Sequence, residues 1–335
     1  MNIHPLVRMT AGTGLTCVLM VTALVMPLIR SADRTVTIPQ YIAAKTIPVP
    51  PGKDPVTPEP VLETLPETLP ETTAFNDGLD LPQQIEGQFT MLFLGFDSQE
   101  NGSGSLHDVN YLMQFDLAPA GLRILQIPRD TYSPGDTSAS TQKFNSIYAC
   151  GDPALPGEQR VIRAVERRTG VPVDAYLLTS CDDIAAIVDI LGGVPLDMPY
   201  RIEFEPGKVI EPGPQTLSGE QAAWLLRYRK GYAMGDIGRL EAQRIFIAAM
   251  LEKLAVMPKL QMLAALQRIM AAQLVKTDLQ ADDLARLADL CSTFGAAQTD
   301  IYLLPGTPAD IGGQSLWLPD KAAAAELIQT HFCRH

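Results

Sequence analysis

Three charged residues carry the first sign of chemistry. Arg129 and Asp130 follow the apolar run LRILQIP, and Asp108 precedes the strand-like segment NYLMQFD. The short turn LAPAG joins the two segments, which predicts an antiparallel hairpin with Asp108 opposite Asp130 at its open end. Two like charges placed there need a positive group between them, either Arg129 or a divalent cation. Oxygen-only ligands favour Mg²⁺ or Mn²⁺, and a simple salt bridge is the structural alternative.

A second polar group combines three arginines and a glutamine. Arg227 and Arg229 are two residues apart, so on an extended segment they project to one side. The apolar stripe of the next predicted helix leads back to Gln243 and Arg239. A cation in the first helical turn opposes the helix dipole unless an anion binds there. The pattern therefore favours a clamp for a multiply charged anion such as phosphate, with structural salt bridges as the alternative.

The segments around these residues predict an α/β fold. FTMLFLGFD, a continuous apolar run ended by Gly95 and Asp97, is typical of a central strand. Further on, the helical pattern GEQRVIRAVERRTG, the strand-like VDAYLLT and the helical DDIAAIVDIL alternate along the chain. Such alternation favours a central sheet between helix layers. The apolar stripes of the helices form a core or wall a lipid pocket, and both interpretations stay open.

The N-terminal third predicts a membrane-anchored protein. Residues 10–29 carry no charge and are flanked by arginines, which is long enough for one transmembrane helix. A cleaved signal peptide is the rival, but cutting after Ala32 would put Arg30 where a small residue is needed. We therefore expect a cytoplasmic N-terminus and signal-anchor over 1–34, a Pro/Glu/Thr-rich extracellular tether over 35–84 and an extracellular domain over 85–335. The protein would then be a single-pass protein of the cell membrane.

Composition narrows the possible partners. The chain has 335 residues, 46% of them hydrophobic, and a formal net charge of −12. Nucleic acids are bound through basic patches, so this acidic chain argues against a nucleic-acid partner. The cysteines beyond the predicted anchor lack the spacing of a zinc site and either form disulfides or act as small buried residues. These cysteines are Cys150, Cys181, Cys291 and Cys333.

Several ordered motifs together resemble the LytR-CpsA-Psr family of cell-wall glycopolymer ligases. They include FLGFD, HDVNYLMQFD, LQIPRDTY, KFNSIYACGD, IVDILGGVPLDM, LSGEQAAWLLRYRKGYAMGDIGRLEAQ and, near the C-terminus, LLPGTP and GGQSLWLPDKAAAAELI. The resemblance implies a three-layer α-β-α sandwich with a central mixed sheet that binds a polyprenyl pyrophosphate. It also implies Mg²⁺-assisted transfer of a glycopolymer phosphate, such as teichoic acid or capsule, from a polyprenyl-pyrophosphate-linked glycan to peptidoglycan.

The resemblance also assigns roles to individual positions. Asp108 and Asp130 match the family's metal-associated aspartates, and either one is a candidate base for the incoming hydroxyl. Arg129 and Arg239 are the cations expected to act in catalysis, by neutralising charge on the leaving group. The positions matched to pyrophosphate binding are Arg129, Lys143, Asn145, Arg227, Arg229, Asp236, Arg239 and Gln243.

Two positions depart from the family pattern, since Leu106 and Ala242 stand where arginine is usual. Both departures remove positive charge, and losing one preorganised donor costs about 10² to 10³ in rate. A hydrolase and a non-catalytic polyprenyl-pyrophosphate binding protein therefore remain alternatives. We expect arginine at either position to strengthen the site. We also expect alanine at Asp108 or Asp130 to leave the fold intact by relieving like-charge repulsion.

Overall fold

The structure of the protein is a computed structural model that describes residues 87–97, 106–117, 120–229, 236–279, 283 and 299–333. All of them fall within one unit, Pro70–His335. The predicted anchor and tether, 1–34 and 35–84, lie outside the described residues. Within the described ranges, no helix combines the length and apolar character needed to cross a bilayer.

A six-stranded mixed sheet forms the centre. Its strands are β1 (Gln88–Phe96), β2 (His107–Leu117), β3 (Ala120–Gln126), β4 (Ala175–Ser180), β9 (Lys276–Thr277) and β10 (Thr299–Leu303). They lie in the order β10-β3-β2-β1-β4-β9. Strand β1 pairs antiparallel with β2 and parallel with β4, which confirms the prediction of a central strand. Three two-stranded sheets pair β5 (Val194–Met198) with β8 (Gly213–Leu217), β6 (Ile202–Glu205) with β7 (Lys208–Ile210), and β11 (Gly306–Ile311) with β12 (Gln314–Pro319).

Three of the helices occur where the sequence periodicity predicts them. Both predicted helices between β3 and β5 are confirmed, and the second begins with a capping box formed by Ser180 and Asp183. A 3₁₀ turn, Phe144–Ser146, precedes the first helix. The helices are α1 (Ile147–Cys150), α2 (Gly157–Thr169), α3 (Cys181–Ile190), α4 (Gly219–Arg227), α5 (Asp236–Val256), α6 (Lys259–Ala271) and α7 (Lys321–His331).

Helices cover both faces of the central sheet. Leu94 and Leu112 face one apolar cluster, which contains Val165 of α2 and Ile328 of α7. The opposite face contributes Met91, Tyr111 and Phe115 to a second cluster that includes Leu251 of α5. Alternating strand residues thus bury both faces of the sheet, as the predicted α-β-α layering requires.

A third apolar cluster packs α4 and α5 against the sheet formed by β5 and β8. Leu225 and Leu226 of α4 pack with Phe246 of α5 and with Met198 and Leu217 of the β5–β8 sheet. Helix α5 is 21 residues long, which exceeds the four turns expected from the sequence. Because the rest of this long helix is packed, its first turn is held in place. Arg239, which lies in that turn, therefore has a fixed position.

The hairpin formed by β2 and β3 differs from its prediction by one residue. Asp116 pairs with Gly121 and not with Leu122. Near the other end of β2, Phe96 pairs with His107 and Gly95 with Val109, so Asp108 is an extra residue opposite β1. Such a bulge reorients the side chain that it contains. It places Asp108 on the sheet face of Val109 and Tyr111, where α5 packs.

Candidate functional site

The centre of the site is the carboxylate of Asp108, which contacts three arginines. Arg129 donates to Oδ1 over 2.6 Å, and Arg229 donates to Oδ2 over 2.5 Å. Arg239 donates to Oδ2 over 3.3 Å and to the backbone oxygen of Asp108 over 3.1 Å. The three arginines come from separate segments: the loop after β3, the stretch just after α4 and the first turn of α5. The fold thus brings Arg129 to two cations that lie 100 or more residues further along the chain.

This arrangement keeps Asp108 ionised. Burial raises the pKa of Asp108, but Arg129, Arg239 and Arg229 lower it more strongly, so it lies below its ordinary value. The side chain of Arg239 is only 2% exposed. Because a buried cation without a counter-ion is costly, Asp108 is the group that allows Arg239 to be buried.

Arg129 is the positive group that lies between the two predicted aspartates. In addition to Asp108, its Nε lies 3.7 Å from Oδ1 of Asp130, and Lys143 Nζ lies 2.9 Å from the same oxygen. Arg129, and not Asp130, therefore contacts Asp108. Within the described part of the chain, no cluster of three or more His, Cys, Asp or Glu residues suited to a metal occurs.

The premise of one stability prediction is wrong. Asp108 does not face unscreened like-charge repulsion, since it is a counter-ion of three arginines. Alanine at this position would remove a counter-ion of the buried guanidinium of Arg239. We therefore expect substitution of Asp108 to destabilise the ligand-free protein.

The loop that carries Arg129 and Asp130 is held from two sides. The backbone N–H of Trp317 in β12 donates to the backbone oxygen of Asp130 over 2.9 Å. The backbone oxygen of Trp317 accepts from the backbone N–H of Tyr132 over 2.9 Å. From the 3₁₀ turn, Asn145 donates its backbone N–H to the oxygen of Arg129 over 3.0 Å. Lys143 and Asn145 thus adjoin the loop, while no pattern in the sequence indicated the contact with Trp317.

Arg227 has different partners from the other arginines. It donates to Oδ1 and the backbone oxygen of Asp97, over 2.8 and 2.6 Å, and to Oδ1 of Asp182 over 2.8 Å. The prediction that Arg227 and Arg229 share an extended segment is wrong, because Arg227 is the last residue of helix α4. Asp97 was not among the candidates, although it is the first charge after the buried strand β1.

Cys181 lies near both charged groups, the one around Asp108 and the one that pairs Arg227 with Asp97. Burial raises the pKa of its thiol to about 11, and smaller effects come from Arg227, Asp97, Asp108 and Arg239. The thiol is therefore neutral at physiological pH and unsuited to nucleophilic attack. Cys181, Cys150 and Cys333 are free thiols in the structure, and Cys291 lies outside the described residues.

The remaining predicted residues lie on helix α5. Asp236 begins the helix, while its side chain lies outside the described residues. Gln243 is buried one turn after Arg239, as the periodicity predicts, and its Oε1 accepts a 2.7 Å hydrogen bond from the hydroxyl of Tyr111. Tyr111 was not predicted, since an aromatic residue within an apolar strand pattern gives no sign of such a contact.

The cluster gathers cations around two carboxylates. Among the residues that the structure describes, four cations contact the two carboxylates of Asp108 and Asp130. Those four cations are Arg129, Lys143, Arg229 and Arg239. An otherwise acidic protein thus holds a local site that suits a multiply charged anion.

The chain matches the sequence profile described as the LytR_cpsA_psr family over residues 67–332. It therefore belongs to the LytR-CpsA-Psr family. Two relatives from Bacillus subtilis (strain 168) are each named polyisoprenyl-teichoic acid–peptidoglycan teichoic acid transferase. TagV is 26% identical over 255 residues, covering 72% of this chain and 63% of TagV. TagU is 27% identical over 243 residues, covering 72% of this chain and 76% of TagU.

Solved structures share the fold. The crystal structure of B. subtilis TagV aligns with a TM-score of 0.62 at 22% identity, covering 75% of this chain and all of that one. The structure of TagT bound to LI-WTA aligns with a TM-score of 0.58 at 21% identity, covering 73% of this chain and 90% of that one. The mixed central sheet flanked by helices is therefore an arrangement found in related proteins.

The two departures from the family pattern have different surroundings. Leu106 is 48% exposed beside the site, so an arginine there could reach an anion from solvent. Ala242 is fully buried in the apolar cluster with Leu225 and Phe246. An arginine at Ala242 would bury a charge in a packed core, so the expected gain from restored charge applies to Leu106 alone.

Proposed function

We propose that the protein transfers a glycopolymer phosphate from a polyprenyl pyrophosphate carrier to peptidoglycan. The observation that carries the proposal is the buried Asp108 carboxylate bound by three arginines. The names of TagV and TagU, polyisoprenyl-teichoic acid–peptidoglycan teichoic acid transferases, support the same reaction. The partners would be a polyprenyl-pyrophosphate-linked glycan and peptidoglycan at the cell membrane.

The arginines would bind and orient the pyrophosphate. Arg129 donates to one carboxylate oxygen of Asp108, and Arg229 and Arg239 donate to the other, so an anion placed among them meets several donors. Guanidinium groups form paired hydrogen bonds with phosphate oxygens. The same cations would neutralise the charge that builds up on the departing polyprenyl phosphate.

The transfer step forms one bond and breaks one. A sugar hydroxyl of peptidoglycan attacks the phosphorus that carries the glycopolymer, and the bond from that phosphorus to the bridging oxygen breaks. The products are a phosphodiester to peptidoglycan and polyprenyl phosphate. Asp108 or Asp130 would accept the hydroxyl proton. The lowered pKa of Asp108 makes it a weak base in the ligand-free site.

Mg²⁺, with Mn²⁺ as a substitute, is the proposed cofactor, with Asp108 and Asp130 as its ligands. Their oxygen-only chemistry fits the ion, which would screen charge on the pyrophosphate oxygens. Both oxygens of Asp108 already accept hydrogen bonds from guanidinium groups. Asp108 can therefore serve the ion only when an arginine moves onto phosphate, so ion and pyrophosphate binding should be coupled.

We further propose that 10–29 form the transmembrane signal-anchor and that the catalytic domain is extracellular. The uncharged stretch between arginines supports this topology. A reporter fused after residue 335 should be active only outside the cytoplasm. Reporter activity in the cytoplasm would contradict the orientation.

The decisive experiment uses the full chain in detergent with a labelled lipid-linked glycan, peptidoglycan fragments and Mg²⁺. We expect label on peptidoglycan and its loss in Arg239→Gln. Arg244→Gln is the matched control, because Arg244 lies on the same helix but donates to Gln126 over 2.6 Å and not to Asp108. Label released to water would show a hydrolase. Bound label without any product would show a binding protein, the alternative that Leu106 favours.

A further inference from the structure

Gln243 contains a buried hydrogen-bond donor that no described residue accepts. The residue is 1% exposed, and its Nε2 has no hydrogen-bond partner among the residues that the structure describes. Leaving a buried amide donor unpaired is costly, so such a group calls for an explanation, and a bound ligand is one. Gln243 lies one helical turn after Arg239, on the same face of α5.

Tyr111 determines which end of the Gln243 amide is available. The Tyr111 hydroxyl donates to Oε1 over 2.7 Å, and Tyr111 is 4% exposed. Its ring stacks on Phe93, with 5.8 Å between centroids and 15° between planes. A rigid donor that occupies Oε1 holds the amide in one orientation, which directs Nε2 away from Tyr111.

The bulge at Asp108 connects this pair to the anion site. Strand β2 and helix α5 are joined by two polar contacts, Asp108 with Arg239 and Tyr111 with Gln243. Two strand steps from Val109 to Tyr111 cover about 7 Å, and four helical residues from Arg239 to Gln243 cover about 6 Å. Both contacts form because the bulge puts Asp108 on the face of Tyr111. The oriented amide therefore lies next to the arginines.

We propose that Tyr111 is a positioning residue that orients Gln243 so that Nε2 donates to an oxygen of the bound pyrophosphate. The inference rests on the proposed function, since it needs a pyrophosphate at the arginine cluster. Without the Tyr111 hydroxyl, the amide can rotate and present Oε1, an acceptor that repels the anion. Tyr111 thus acts on the ligand through Gln243 alone.

The test is a double-mutant cycle on ligand affinity. Calorimetry on the full chain in detergent would use farnesyl pyrophosphate as the probe and farnesol as its uncharged counterpart. Tyr111→Phe keeps the stacked ring and removes only the hydroxyl. We expect it to weaken farnesyl pyrophosphate binding about 2- to 10-fold, the range of one neutral hydrogen bond. In a Gln243→Met background the same change should have no further effect, and farnesol binding should stay unchanged throughout.

Gln243→Glu is a second, independent variant. Its carboxylate still accepts from Tyr111 but offers no donor, so it should weaken pyrophosphate binding at least as much as Gln243→Met. Tight binding by Gln243→Glu would overturn the inference, since Nε2 would then be unused. Equal loss of farnesyl pyrophosphate and farnesol in Tyr111→Phe would also overturn it, by showing a packing role.

Failure of the inference and failure of the proposed function give different results. If the wild-type protein does not bind farnesyl pyrophosphate, the proposed function fails. If the wild type binds and Gln243→Met weakens binding while Tyr111→Phe does not, only the role of Tyr111 is overturned.

Discussion

Replacing Asp108 by Asn should destabilise the ligand-free protein, and an added anion should reverse the loss. Asp108 is the counter-ion of Arg129, Arg229 and Arg239, of which only Arg239 is fully buried. Removing one partner of a buried ion pair costs about 3–5 kcal/mol, and the partial exposure of the other two arginines favours the lower end. A loss of about 3 kcal/mol corresponds to a Tm lower by roughly 6–12 °C for a domain of this size.

Inorganic pyrophosphate should restore most of the stability of Asp108→Asn. The anion would occupy the place of the missing carboxylate and pair with the same arginines. Because the variant site carries one more positive charge, it should bind pyrophosphate more tightly than the wild-type site. The Tm increase at a fixed pyrophosphate concentration should then be larger in the variant.

Differential scanning calorimetry on the full chain in detergent, with and without pyrophosphate, measures both effects. Asp116→Asn is the matched control, since the buried Asp116 pairs with Arg123 over 2.7 Å on the other side of the hairpin. It should lose stability in the same way, and pyrophosphate should not rescue it. An unchanged or higher Tm in Asp108→Asn would refute the counter-ion argument, and equal rescue of both variants would show that the anion acts nonspecifically.

Four further outcomes are expected. Mg²⁺ alone should bind weakly and pyrophosphate should strengthen its binding, because both oxygens of Asp108 are already hydrogen-bonded; equal affinity in titrations with and without pyrophosphate would contradict the coupling. Gly306→Ala should lower kcat by up to about 100-fold in steady-state kinetics through misplacement of the loop after β3, because an added Cβ would lie 2.6 Å from Nε1 of Trp317, and pyrophosphate affinity should fall with it because the loop carries Arg129. Leu106→Arg should tighten pyrophosphate binding about 2- to 5-fold at low salt, as expected for an exposed ion pair, and the gain should disappear at high salt. Burial lowers the pKa of His107 from 6.5 to about 4, so the unfolded chain takes up a proton at a higher pH than the folded protein does. The contribution of His107 to stability is complete above pH 6.5 and falls as the pH is lowered toward 4. Denaturant titrations should show a loss of unfolding free energy on the order of 2 kcal/mol between pH 7 and pH 5, and His107→Gln should lack this loss.

Local patterns in the sequence determined most of the secondary structure. A continuous apolar run predicted β1, strand-like segments joined by a short turn predicted the hairpin of β2 and β3, and helical spacing predicted α2 and α3, all of which the structure contains. These predictions succeed because burial selects side chains at a period of 2 in strands and 3.6 in helices. The same periodicity predicted that Arg239 and Gln243 would be buried, and both are.

The pairing of the charged residues depended on tertiary structure. The register of the hairpin and the bulge at Asp108 decided that Arg129, and not Asp130, contacts Asp108. A shift of one residue changes which side chain faces which, and the apolar pattern of a strand buried on both faces cannot detect it. Sequence alone therefore located the site but not its ion pairs.

Contacts between distant segments were also decided only by the fold. Arg227 pairs with Asp97 and Tyr111 with Gln243, although each pair is separated by at least 130 residues. Periodicity describes a stretch of about ten residues and carries no information on which stretches meet. The packing of α4 and α5 against the central sheet brings these partners together. The sequence therefore indicated which cations belong to the site, whereas only the tertiary structure determined which carboxylates they pair with.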